Sequence, residues 1–109
     1  MAQDFEGSGA QITNSATTLL TANSDDAVVG IRLANVLTTA VTVDVFIDDN
    51  GSGTLRYIVK GLALPASSSV ELVQGGSKIV LNSGDVLKGQ SNTASSVDVW
   101  LSRVDAIST

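Results

Sequence analysis

The sequence predicts an all-β protein, a single antiparallel β-sandwich of immunoglobulin-like or jelly-roll-like type with seven or eight short strands. Three observations carry this. Val, Ile and Thr supply 30 of the 109 residues, and these β-branched types are stiff at χ1 and fit a pleated surface better than a helix. Ser adds 14 residues and Gly 10 against a single Pro, so apolar segments alternate with frequent turn residues. No window of helical length keeps an apolar stripe at i, i+3, i+4 and i+7. A chain of 109 residues has the size of one domain with one core.

The elements follow in order. Residues 1–9 are polar, end in Gly7-Ser8-Gly9 and hold no apolar partner beyond Phe5. Their composition predicts a flexible N-terminal arm, with the sandwich domain spanning 10–109. Short strands are expected over 10–14 and 17–21, then a turn at Asn23-Ser24-Asp25-Asp26. The next strand, 27–35, puts Val29, Ile31 and Leu33 on one face, and Gly30 marks a bulge or close packing point. In 41–47, alternation sends Val41, Val43, Val45 and Ile47 one way and Thr42, Asp44 and Phe46 the other. Asn50-Gly51, the strongest turn dipeptide in the chain, closes a hairpin onto 54–60, where Leu55, Tyr57 and Val59 share a face. Pro65 ends the following segment. Three short strands, 69–73, 78–81 and 85–88, are separated by Gly75-Gly76 and Asn82-Ser83-Gly84. The last strand, 97–101, turns Val97, Val99 and Leu101 to one side and Trp100 to the other. No Cys pair is available to mark a true immunoglobulin domain.

Composition excludes much chemistry. The chain lacks Cys and His, so it has no disulfide, thiolate nucleophile, zinc ribbon or Ser-His-Asp triad. No cofactor is expected. A net charge of −5 argues against nucleic acid, whose phosphates need a basic face, and the six basic residues are scattered singly. No apolar run reaches the length of a membrane span. The opening residues have neither a basic nor an apolar signal region. A small acidic binding or structural module remains, and no enzyme is expected.

Four sets of residues are candidate sites. The loop from Asp48 to Leu55 copies the front half of an EF-hand-type calcium loop, with Asp48, Asn50 and Ser52 at alternating ligand positions and Gly53 at the sharp turn. Val59 stands where that motif has its bidentate Glu, and a hairpin turn uses the same residues for backbone reasons. Asp44 and Asp98 sit among apolar strand residues as a carboxylate pair suited to acid/base work, while solvent-facing strand Asp residues also guard edges. Phe5, Phe46 and Trp100 are interface candidates, because large aromatics outside the core anchor partners. Their alternative is a second core layer, or cover beneath the arm. Gly7-Ser8-Gly9-Ala10 and Gly75-Gly76-Ser77-Lys78 have neither the spacing nor the strand-to-helix context of phosphate loops.

The second half also carries a resemblance. Residues 57–72 (YIVKGLALPASSSVEL), 75–88 (GGSKIVLNSGDVLK) and 94–102 (ASSVDVWLS) resemble small virion structural proteins of tailed bacteriophages, particularly phages of marine and freshwater bacteria. The similarity spans about residues 27–104 and consists of turn and strand patterns, so it specifies a fold family better than a task. It implies a noncatalytic β-domain on the outer surface of the virion, made in the host cytoplasm. Within that class it implies a capsid decoration (cement) protein that binds between capsomers of the major capsid protein, often as a trimer. Phe46 and Trp100 would be its anchors. Two other roles fit the same fold: a neck, tail or fibre component, and an adhesion module that stacks carbohydrate on Trp100 and Tyr57.

Overall fold

Alternation of β-branched and polar residues produces nine strands in the computed structural model, which describes residues 4–73 and 78–105. They are β1 (Asp4–Ile12), β2 (Thr17–Thr21), β3 (Asp26–Asn35), β4 (Val41–Asp49), β5 (Thr54–Leu64), β6 (Ser69–Glu71), β7 (Ile79–Leu81), β8 (Val86–Ser91) and β9 (Val97–Asp105). Among the described residues there is no helix. One sheet runs β1-β9-β3-β6, with β7 also on β3; the other runs β2-β8-β4-β5. Every pair is antiparallel. The pairs are nested around the β4–β5 hairpin: β3 takes β6 and β7, β2 takes β8, and β1 takes β9. That nesting is the jelly roll, which decides between the two sandwich types the sequence left open.

The inward faces meet in one core. Ile12, Val28, Ile31, Leu33, Val43, Val45, Leu81, Leu87, Val97 and Leu101 are all at most 1% exposed. Gly89 of β8 is required where Ile12 of the other layer packs onto its backbone. A Cβ there would lie 2.5 Å from Cδ1 of Ile12, so the absent side chain is the space that β1's last residue fills.

Several expectations need correction. Residues 4–9, read as a flexible arm, form β1 together with 10–12 and pair with β9 along the whole strand, from Asp4–Asp105 to Ile12–Val97. Gly7 and Gly9, expected at the end of that arm, are two apart in β1 and share a face, where the indole of Trp100 stands in for their missing side chains. The bulge expected at Gly30 is present as a register shift between Val28 and Gly30. It turns Val28 rather than Val29 into the core beside Ile31 and Leu33. Strand β5 is longer than expected and does not alternate simply. Two register shifts opposite Val43, Val45 and Phe46 place extra residues on β5, and Gly61 there adopts φ +69°. Leu55 and Tyr57 are exposed as a result, while Ile58, Val59 and Leu62 pack on the core. Gly75, Gly76 and Ser77 lie outside the described residues.

Candidate functional site

The outer face of the first sheet carries the most unusual arrangement. β9 alternates Val97, Val99 and Leu101 inward, so Asp98 and Trp100 must point out. The register sets Gly9 beside Trp100 and Gly7 beside Ser102. The indole lies across both glycines. A Cβ on Gly7 would come 2.7 Å from Cζ2, and one on Gly9 would meet Cε3 and Cζ3 at 3.4 Å. One ring face thus rests on bare backbone, and Trp100 stays 56% exposed. Across β9, Arg32 of β3 is its register partner. A shallow groove of about 360 Å³ runs between them, lined also by Gly9, Ala34, Asp98 and Val99. Asp98 is held at the rim by Gln11, whose Nε2 donates to Oδ1 at 2.8 Å. Phe5, on the same face of β1, is 84% exposed.

Phe46 is different. It lies outside the core cluster, as outward alternation requires, yet it is only 3% exposed. The Tyr57 ring covers it at 5.1 Å between centroids, and Lys60 Nζ sits 4.8 Å above Tyr57 in turn. Phe46 is therefore the floor of a small outer layer and not a free anchor. The shifted register of β5 brings Tyr57 opposite Phe46, a contact that alternation alone does not foretell.

The two strand carboxylates are not brought together. Asp44 is on the outer face of the second sheet, where Oδ1 accepts from the Gly61 amide at 2.7 Å. Asp98 is on the outer face of the first sheet, so the core separates them.

In the calcium-like loop, Asp48 is 8% exposed. Its Oδ1 accepts from the Gly53 amide at 2.8 Å, and its Oδ2 pairs with Lys88 Nζ at 3.4 Å. Ser52 Oγ donates to the Asp49 carbonyl at 2.6 Å, and the Asn50 side chain occupies the space a Cβ on Gly84 would take. Asn50 and Gly51 have φ of 55° and 65°. These are the contacts of a closed hairpin turn. Among the described residues, no group of three or more acidic side chains is arranged to hold a metal ion.

Two polar devices were missed in the sequence. Arg103 of β9 joins the N-terminal strand to the start of β3: one Nη lies 3.0 Å from Glu6 Oε1, and Nε lies 3.8 Å from Asp26 Oδ2. Ser24 Oγ bridges Asp26 and Asp105 at 2.9 and 3.1 Å. The Asp105 carboxyl is held below the usual carboxylate range, first by its hydrogen bond with Asp26 and then by that from Ser24. The second device is Glu71, whose Oε2 accepts from the backbone amides of Ile31 and Val73 at 2.6 and 3.2 Å. Their long-range partners leave no local sequence signal, because Glu6 and Asp26 reach Arg103, Asp105 reaches Ser24, and Ile31 reaches Glu71 only through strand pairing.

No protein-family model matches the chain, and no curated protein matches it. Solved structures do. The chain is similar to a pentameric capsid protein isolated from metagenomic phage sequences, with TM-score 0.52, 17% identity, and coverage of 92% of this chain and 62% of that one. A second structure described as a pentameric capsid protein from metagenomic phage sequences gives TM-score 0.50, 18% identity, and coverage of 92% and 64%. The chain thus spans less than two thirds of the length of either. It is also similar to a subunit of Bacillus endospore appendages, described as a novel family of disulfide-linked pili, with TM-score 0.54, 16% identity, and coverage of 98% and 88%. This chain has no Cys. At these identities the likeness is one of fold: an all-β jelly-roll sandwich shared with capsid and appendage subunits.

Proposed function

We propose that the chain is a non-enzymatic structural protein of a bacteriophage particle, a decoration protein that binds between capsomers on the outer surface of the head. The observation that carries this reading is the jelly-roll strand order, with phage capsid proteins among its solved neighbours. The resemblance of about residues 27–104 to small phage virion proteins points the same way. The partners are then the major capsid protein and further copies of the chain, with a trimer the arrangement that the decoration class implies. The appendage subunit adds a second example of this fold in a repetitive assembly.

The mechanism is mechanical. Each copy buries apolar surface against the shell, at about 25 cal/mol per Å² before the cost of association. Repetition over a symmetric lattice turns modest contacts into avidity. The exposed Phe5 and Trp100 are interface residues in this reading, between copies or against the shell, and the acidic surface keeps arrayed copies from aggregating.

Quantitative mass spectrometry of purified particles tests it by copy number relative to the major capsid protein. A count near one per capsid subunit, or a fixed small fraction of that, is expected. A single ring's worth would move the protein to the neck, tail or fibres, and its absence from particles would overturn the virion reading. If isolated domains bound glycan, the Trp100 groove would instead be an adhesion site.

A further inference from the structure

A β-sandwich has four sheet edges, and each exposes unpaired backbone groups that another strand can join unless the edge is spoiled. Three are spoiled here. β5 carries two register shifts and a left-handed Gly61. β2 has five residues and a shift between Thr18 and Leu20. β6 and β7 have three residues each. β1 is different. Its nine residues pair with β9 without any register shift, they include neither Pro nor Lys, and among the described residues β9 is the only strand paired with β1.

We propose that β1 is an intermolecular pairing edge whose occupant is the β1 of a second copy of this chain, joined antiparallel across a two-fold axis. A single open edge cannot make a head-to-tail contact by strand pairing, because that needs a second, different edge on the neighbour; it pairs with itself. The register that uses all nine residues is centred on Ser8. It sets Asp4 opposite Ile12 and Glu6 opposite Ala10 of the other copy, so no acidic residue faces another and the two acidic ends lie apart. Gly7 then faces Gly9, and Phe5 faces Gln11, diagonal to Gly9 of the partner. Diagonal neighbours on a sheet are within reach of an aromatic ring, which brings the exposed Phe5 of each copy to the Trp100 indole lying over that glycine. The arrangement covers the two most exposed aromatic side chains and completes the edge in one step. It concerns the isolated chain and does not rest on the virion reading.

Because the chain has no Cys, cross-linking tests the contact and its register directly. The double variant Phe5→Cys/Gln11→Cys should form covalent dimers on mild oxidation, seen on a non-reducing denaturing gel. Each single variant should not, since identical residues then lie six apart along the strands, about 20 Å. Both side chains are exposed, so the fold does not depend on them. In analytical ultracentrifugation the wild-type chain should self-associate, and Phe5→Asp should lose that association while keeping its circular dichroism spectrum. A wild-type chain that stays monomeric, an association that survives Phe5→Asp, or single variants that cross-link as well as the double one would each overturn the proposal. None of these results would alter the copy number in particles.

Discussion

Asn35 shows how one side chain ties the two layers together. It is 3% exposed near the end of β3, where its Nδ2 donates to the carbonyls of Thr39, Leu64 and Pro65 at 2.9, 3.0 and 3.1 Å. Its Oδ1 accepts from the Leu37 amide at 2.9 Å. These groups belong to the β3–β4 turn and to the end of β5, so a single amide closes the corner between the sheets. Asn35→Ala leaves the buried Leu64 carbonyl without its partner and removes three part-buried bonds, and the expected loss is about 2–3 kcal/mol in chemical denaturation. A loss within error of zero would show that water replaces the amide. At this scale the sequence was partly legible. Trp100 was correctly placed outside by its alternation with Val99 and Leu101. Phe46 was placed on the correct face, but its cover was invisible, because Tyr57 reaches it only through the shifted register of β5. Asn35 is the last residue of the expected strand 27–35, and nothing nearby in the sequence names Leu64 or Pro65 as its acceptors.

Among the elements, β1 is the instructive one. Gly residues weaken strands through backbone entropy, so Gly7-Ser8-Gly9 reads as the end of a flexible arm. The strand persists because Trp100 packs on the bare backbone and Ile12 locks its end into the core. Replacing these glycines by Ala should normally gain strand stability, but here the order is set by clearance. Gly7→Ala drives a Cβ into the indole at 2.7 Å and is expected to cost about 1–2 kcal/mol, while Gly9→Ala, at 3.4 Å, should be close to neutral. Thermal denaturation followed by circular dichroism measures both, and a stabilised Gly7→Ala would show that the ring does not rest there. The remaining strands are legible nearly to the residue where inward and outward residues alternate, as at Val41, Val43 and Val45 of β4. They were least legible where a bulge intervenes, since one extra residue reverses which side chains face inward. Val28 and Val29 are the clearest instance.

For the whole molecule, nesting has a kinetic meaning. β1 and β9 come from opposite ends of the described chain, yet pair along nine residues. β2 and β8 are almost as far apart, and only the β4–β5 hairpin is local. Closing long loops before their contacts form slows folding. The chain is therefore expected to refold in about the millisecond-to-second range, as all-β domains with non-local pairing do. Stopped-flow refolding checks this, and microsecond folding would contradict it. The same non-locality explains why strand order could not be read from the sequence. Apolar spacing defines which residues face a core, but an immunoglobulin-like sandwich and a jelly roll present the same alternation. They differ only in which distant strands meet, and that choice rests on partners such as Gly89 with Ile12 and Arg103 with Glu6.

The chain holds a single Trp, and its ring lies across the one long regular edge strand. Its emission spectrum is consequently a built-in optical readout of that strand. With β1 seated and its outer side bare, the half-exposed indole emits in a partly aqueous environment. Peeling β1 from β9 moves the emission to the red, and a neighbour laid over the glycines moves it to the blue. Assembly and fraying can thus be told apart by colour alone, without any added label.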